Sequence, residues 1–453
     1  MNIGVYTCHC GTNIAGVVNV EEVTKSALSL KDVVVARDYK YMCSSPGQDL
    51  IKNDINEKKL DRVIVAACSP NMHEKTFRTV LKKSGLNPFL LEIANIREQN
   101  SWVHSSKEEA TQKAKDLIRM AVAKARFNEP LEKIRVEMVP KVLVIGGGIA
   151  GMEASIDITE LGYDVVMVEK EQSIGGHMSQ LTKTFPTLDC AACILTPKMV
   201  LTQRDGLKLY SYSEVEEVTG YVGNFDVNIR KKARSVDAGK CNGCGLCQEK
   251  CPTKVPSEYD GGLGMRKAIY TLFPQAIPNI PVIDRQHCMM FTKGKCGICK
   301  KVCPLDAIDY EQKDEIITEK VGAIIVATGF DQYEPYDIEE YGYGKYKNVI
   351  TGLQLERLLH ASGPTFGKLK RPSDGSIPKG VAFIQCVGSR DKKRNPHCSR
   401  ICCMYAIKNA RLIKEEHPDC EVYVFYTDMR AYAKGYEEFY NIAQQYNIKF
   451  IRG

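Results

Sequence analysis

Residues 141–151 read Lys-Val-Leu-Val-Ile-Gly-Gly-Gly-Ile-Ala-Gly. The run Lys141 to Ile145 has the apolar character of a buried parallel strand, and the three glycines that follow end it. Met152 to Leu161 continues as a helix, and Val165 to Val168 form a second strand that ends on Glu169. This is a strand–turn–helix–strand unit with G-x-G-x-x-G at Gly146, Gly148 and Gly151. The glycines, with Ile149 and Ala150 between them, permit a tight turn and close approach of a pyrophosphate to the helix N-terminus. Glu169, with Lys170 beside it, is placed to accept a hydrogen bond from a ribose hydroxyl.

Downstream, Gly175, Gly176, His177 and Met178 follow the second strand. Ala323 to Val326 form a later strand, and it delivers Ala327, Thr328 and Gly329. That Ala-Thr-Gly resembles the motif with which flavin disulfide reductases return to their dinucleotide domain. It favours FAD over a nicotinamide dinucleotide. FAD also exchanges electron pairs for single electrons.

Between the two parts lies a cysteine pattern. It runs Cys241-x2-Cys244-x2-Cys247-x3-Cys251-Pro252, then Cys288-x7-Cys296-x2-Cys299-x3-Cys303-Pro304. The bacterial ferredoxin run is C-x2-C-x2-C-x3-C-P, and its fourth cysteine serves the other cluster. Crossing the ligands assigns Cys241, Cys244, Cys247 and Cys303 to one 4Fe–4S cluster. Cys288, Cys296, Cys299 and Cys251 take the other. The long first gap of the second run is expected to be an inserted loop, Met289 to Lys295. Structural zinc sites more often present two C-x2-C pairs. The ferredoxin module interrupts the flavin fold, which is feasible for a module whose termini lie close together.

Two further sets are open to more than one reading. Cys386, Cys398, Cys402 and Cys403 lie after the strand Val381 to Gln385 and at the start of a helix from Arg400 to Ile413. A helix N-terminus favours thiolate and cluster charge; a redox disulfide or buried thiols would fit the same spacing. Cys8, Cys10, Cys43 and Cys68 follow three apparent strands, so they converge on one crevice if those strands are parallel neighbours. They form either a cluster site or an unmetallated cysteine-rich domain. Cys190-Ala191-Ala192-Cys193 is either a dithiol facing the flavin, a supplementary cluster ligand, or a pair of structural thiols. Lys408 is expected as a solvated lysine, or else as a charge that tunes the flavin.

The chain of 453 residues carries nineteen cysteines and a formal charge of +7. The length suits about three domains. The start, Met-Asn-Ile-Gly-Val-Tyr-Thr-Cys-His-Cys, has no signal-peptide pattern. No apolar run has the length of about 18–20 residues that spans a bilayer. A cytoplasmic protein with reduced, metal-binding thiols is expected. The basic residues are scattered, and each cluster with four thiolates adds about −2 charge, so nucleic acid is not an expected partner.

Taken in order, these parts resemble the A subunit of CoB–CoM heterodisulfide reductase across essentially the whole chain. The resemblance rests on Gly146 to Gly151, Gly175-Gly176-His177-Met178, Thr187-Leu188-Asp189-Cys190, the inserted ferredoxin, Ala327-Thr328-Gly329-Phe330 and the Cys386 set. It implies an α/β fold, an FAD-binding disulfide-reductase-like (thioredoxin-reductase-like) Rossmann domain. A small α/β cysteine-bearing domain would precede it. The expected boundaries are 1–135 for the N-terminal domain, 136–234 and 313–453 for the flavin domain, and 235–312 for the ferredoxin. The resemblance implies flavin-based electron bifurcation in methanogenesis, with one electron passing to ferredoxin and the other toward the heterodisulfide. It also implies a cluster in the N-terminal domain and another beside FAD. Implied partners are B- and C-type subunits, a hydrogenase or formate dehydrogenase, ferredoxin and a dimer of complexes. Family members continue past Phe450-Ile451-Arg452-Gly453, so a fragment, or a second polypeptide completing the FAD domain, is expected. Related complexes with quinone, benzoyl-CoA or methylene-tetrahydrofolate chemistry are the alternative, and an assembly subunit with a merely structural flavin fold is a third.

Overall fold

A computed structural model describes residues 1–453. The chain divides into two compact units, Met1–Arg135 and Val136–Gly453. No helix is long and apolar enough to cross a membrane.

The first unit is built on a four-stranded, wholly parallel sheet. Its order is Val33–Tyr39, Ile3–Cys8, Arg62–Ala67 and Leu91–Asn95. Side chains alternate across such a sheet. Ile3, Val5, Ile64 and Ala66 enter one apolar core with the long helix Lys107–Ala125. Tyr6, Cys8, Val63 and Val65 enter the other with Ile51, Phe77 and Leu81. Both faces are thus covered, as a parallel sheet requires. The first strand lies between the second and the third, so the strand order reverses beside it and opens a crevice at its carboxyl end.

In the second unit, Lys141–Ile145 is central to a parallel sheet ordered Ala323–Val326, Lys141–Ile145, Asp164–Glu169 and Leu207–Ser211. The helix after the glycines spans Ile149–Glu160, so it begins three residues before the expected Met152. Ile149 and Ala150 already lie in its first turn. An antiparallel sheet packs beside it, ordered Glu315–Val321, Asn224–Lys231 and Ser213–Tyr221. The ferredoxin insert is the excursion between Asn224–Lys231 and Glu315–Val321. Those two strands pair with each other, so the insert leaves and returns at one place.

Residues beyond the Ala323–Val326 strand do not all extend that sheet. Gly380–Ile384, Glu421–Tyr426 and Lys449–Arg452 form a separate three-stranded parallel sheet. Its core includes Leu355, Phe383, Ile407, Val422 and Phe439, and Cys420 is buried in it.

Candidate functional site

The glycine loop is held by close backbone packing. Gly146 has φ +108, and a Cβ there would stand 2.3 Å from the Ala327 carbonyl oxygen. A Cβ on Gly151 would stand 1.9 Å from the Gly146 carbonyl oxygen. Neither position admits a side chain. Gly148, by contrast, faces open space, which leaves a cradle in front of the helix start. The first amides of a helix have no partner inside it, so this cradle suits a phosphate.

Three segments converge on the loop. The Gly175 amide donates to the Gly147 carbonyl at 2.8 Å. The Gly147 amide donates to Glu169 Oε2 at 2.6 Å, and the Glu171 amide donates to Oε1 at 2.8 Å. Burial raises the Glu169 carboxyl above its usual range, and the two amides oppose that rise. The Ala327 amide donates to the Ile145 carbonyl, which docks the Ala327–Gly329 turn beside the glycines. His177 Nε2 lies 2.9 Å from the Phe330 carbonyl, and the two rings are 4.6 Å apart. Met178 packs in the core beneath, near Met152 and Ile174. Lys170 is exposed.

The ferredoxin cysteines gather in two places. Cys241, Cys244, Cys247 and Cys303 line one cavity, and Cys251, Cys288, Cys296 and Cys299 line another. No three Cys, His, Asp or Glu side chains converge as they would on a single ion. The thiols surround a volume instead, which is the arrangement a multi-iron cluster asks for. Burial pushes the Cys247 thiol up to about 12, and Tyr310 Oη lies 2.9 Å from Cys299 Sγ. The segment expected as a loop is otherwise: Met289–Lys293 is a short helix that starts directly after Cys288 and stops at Gly294. It takes up the extra residues in one turn, with Met289 and Met290 lining the same cavity as Cys288, Cys296 and Cys299.

The Cys386 set is assembled from a strand end and a helix start. Cys386 follows Gly380–Ile384 with φ +60, and Cys402 and Cys403 open the helix Cys402–Glu416. The charges of Cys402 and Cys398 both bear on Cys386, whose thiol burial pushes up. The hydrogen bond from Cys403, aided by Ser399, brings the Cys402 thiol down to about 6. Ser399 Oγ lies 3.2 Å from Cys402 Sγ.

In the first unit, Cys8 closes its strand and Cys68 directly follows Arg62–Ala67. Cys10 and Cys43 pack against the same core as those two. Cys8 Sγ accepts from the Cys10 and Met42 amides, each at 3.3 Å. Arg97 Nη1 donates to Cys10 Sγ at 3.1 Å. Arg97 carries no signal in the sequence, because its partner is far away along the chain.

Lys408 is not solvated. It is 1% exposed and ion-paired with Glu356, itself buried. Burial lowers its pKa, and Glu356 opposes that shift. Glu356 Oε2 also accepts from the Thr182 amide at 3.2 Å. The pair is therefore tied to the segment that follows the Gly176–Gln180 turn. Glu356 escapes a reading of the sequence for the same reason as Arg97.

Residues 141–180 match a family model described as an FAD binding domain, and residues 234–257 match a 4Fe-4S binding domain. With the glycine cradle and the thiol-lined cavities, this defines a flavin- and iron–sulfur-carrying oxidoreductase of α/β fold. The chain is 58% identical to the second iron–sulfur A subunit of CoB–CoM heterodisulfide reductase from Methanopyrus kandleri, over 100% of this chain and 69% of that one. It is 56% identical to the A subunit of the H(2):CoB-CoM heterodisulfide,ferredoxin reductase of Methanothermobacter marburgensis, over 100% of this chain and 68% of that one. Among solved structures it matches the thioredoxin reductase of T. acidophilum with a TM-score of 0.32 and 13% identity, covering 69% of this chain and 64% of that one. The chain belongs to the family of CoB–CoM heterodisulfide reductase A subunits.

Proposed function

We propose that this chain is the electron-splitting subunit of a cytoplasmic heterodisulfide reductase complex. It takes electrons from a hydrogenase or formate dehydrogenase module and divides them between ferredoxin and B- and C-type subunits that reduce the heterodisulfide. The observation that carries this reading is the likeness, along the whole of this chain, to a relative whose name couples H2, heterodisulfide and ferredoxin. When bound, FAD supplies the exchange of electron pairs for single electrons, and 4Fe–4S clusters accept electrons singly.

The chain's own residues fit those groups. Gly146 and Gly151 pack the turn closely, and Gly148 would leave room for the dinucleotide phosphates before the helix start, where Ile149 and Ala150 lie. Glu169 and Lys170 stand at the end of the second strand, toward the ribose. Gly175, Gly176, His177 and Met178, together with Ala327, Thr328 and Gly329, form the walls. Cys241, Cys244, Cys247 and Cys303 hold one cluster, and Cys251, Cys288, Cys296 and Cys299 hold another. Cys386, Cys398, Cys402 and Cys403 hold a third, and Cys8, Cys10, Cys43 and Cys68 a fourth. Lys408 keeps a positive charge inside the flavin domain, and Glu356 holds its position.

The test is coupling in the purified native complex. Ferredoxin reduction by H2 or formate is expected only while heterodisulfide is consumed. Ferredoxin reduction at the same rate without heterodisulfide would overturn the reading. Replacement Lys408→Ala leaves Glu356 buried without its partner, a change that costs about 3–5 kcal/mol at such sites. Lys408→Arg keeps the charge, so the two variants separate folding from a shift in flavin potential.

A further inference from the structure

Cys190 and Cys193 are absorbed by none of the four cysteine sets above. Both are exposed and free. They sit one helical turn apart at the start of the helix Ala191–Leu201, with Cys190 just before it. Cys190 Sγ accepts from the Cys193 amide at 3.3 Å. The Cys190 backbone also bridges to that of Lys183.

The two thiols are unequal. The Cys193 thiol hydrogen-bonds to the Cys190 sulfur, which lowers the Cys190 pKa and raises that of Cys193. The backbone amides of Cys193 and Ala192 and the charge of Lys183 add to the lowering. The first cysteine is thus the better nucleophile near neutral pH, and the second is held as a thiol until it is needed.

Their place in the fold follows from two ion pairs. Lys198 pairs with Glu153, and Arg204 Nη1 lies 3.2 Å from Glu160. The helix Ala191–Leu201 therefore runs alongside Ile149–Glu160 in the same direction. Cys190 precedes Lys198 by more residues than Ile149 precedes Glu153. At about 1.5 Å of rise per residue, it stands roughly 6 Å beyond the start of the dinucleotide helix. The pair lies on the carboxyl side of the parallel sheet, where the crossover helix between Asp164–Glu169 and Leu207–Ser211 begins, and is open to solvent.

We propose that Cys190 and Cys193 form a thiol–disulfide exchange site for low-molecular-weight disulfides, in which Cys190 attacks and Cys193 resolves. The Cys190 thiolate bonds to one sulfur of the disulfide, that S–S bond breaks, and the first thiol leaves. Cys193 then bonds to Cys190 Sγ, the mixed disulfide breaks, and the second thiol leaves. The two protons of the cysteine thiols end on the two released thiols, and the pair is oxidised by two electrons as the substrate is reduced by two. The inference stands apart from the electron-splitting reading, since it needs neither partner subunits nor ferredoxin.

The holoprotein, reduced and freed of reductant, is treated with bis(2-hydroxyethyl) disulfide near pH 7, alkylated and mapped by mass spectrometry. An intramolecular Cys190–Cys193 disulfide is expected. In Cys193→Ser, a mixed disulfide is expected to persist on Cys190. In Cys190→Ser, labelling of Cys193 is expected to be slower by on the order of tenfold. Flavin and iron contents of both variants serve as the folding control. Resistance of both cysteines to alkylation in the untreated holoprotein, as iron ligands would show, overturns the proposal. So does a Cys193→Ser protein with wild-type cofactor content that traps nothing on Cys190.

Discussion

The Met1–Arg135 unit and the ferredoxin insert each gather cysteines, but they are built in opposite ways. In the first unit the thiols stand at the carboxyl edge of a sheet that is sealed on both faces by large aliphatic cores. In the insert the core is small, and the cysteines are part of it: Cys247, Cys288 and Cys299 are buried with Val236, Ile269, Ile283, Ile308 and two alanines. One region has a sheet whose cores lie to either side of its thiols. The other has a fold that a metal site completes.

The comparison predicts its largest effect on removal of iron. A domain with so little apolar interior depends on bound metal for its folding free energy. Chelation under reducing conditions is expected to abolish hydrogen-exchange protection across residues 235–312. Protection of Ile3–Cys8 and Arg62–Ala67 is expected to survive. Equal loss in both regions would end the distinction. A finer version uses single ligands. Cys288→Ser is expected to lose iron and open the insert to protease, whereas Cys10→Ser loses iron with its sheet intact.

The reverse experiment weakens the aliphatic core. Ile64 is fully buried in the first unit, and Ile64→Ala is expected to destabilise that unit by about 2–5 kcal/mol. Thermal melting followed by exchange should show the insert unaffected.

The smallest effect is electrostatic. Burial alone would raise the Asp284 carboxyl, but Arg266 at 2.9 Å and His287 at 2.7 Å outweigh it and hold the pKa below the usual range. A depressed carboxylate stabilises the fold above its unfolded pKa of about 3.9. That stability is lost as pH falls through the lower folded value. The insert should therefore loosen below about pH 4 by on the order of 1 kcal/mol more than Asp284→Asn loosens over the same range.

The same contrast explains what can be read along the chain. Cysteine spacing in the insert is local, so the two sets of cysteines that line the cavities are legible residue by residue. The strand–glycine–helix unit is legible for the same reason, although its helix begins earlier than apolar periodicity alone suggests. Arg97 and Glu356 act on partners distant in sequence, and nothing in their own neighbourhood marks them. Lys408 misleads for that reason: a lysine reads as solvated until its buried counter-charge is known. The helix Met289–Lys293 is hidden because so short a segment shows no period. The separate sheet of Gly380–Ile384, Glu421–Tyr426 and Lys449–Arg452 escapes because strand pairing is a tertiary choice.

The root of the insert has a further meaning. Lys231 faces Glu315 across the Asn224–Lys231 and Glu315–Val321 ladder, and their side chains pair at 2.7 Å. To the flavin sheet, everything between those residues is one enlarged hairpin turn. A short turn joining Lys231 to Glu315 would keep every strand of that ladder in register. The module is thus rooted at one place in the ladder, while its Phe273 and Ile277 reach back into the core of Met152, Met167 and Ile174: one root in the backbone, a second in the packing.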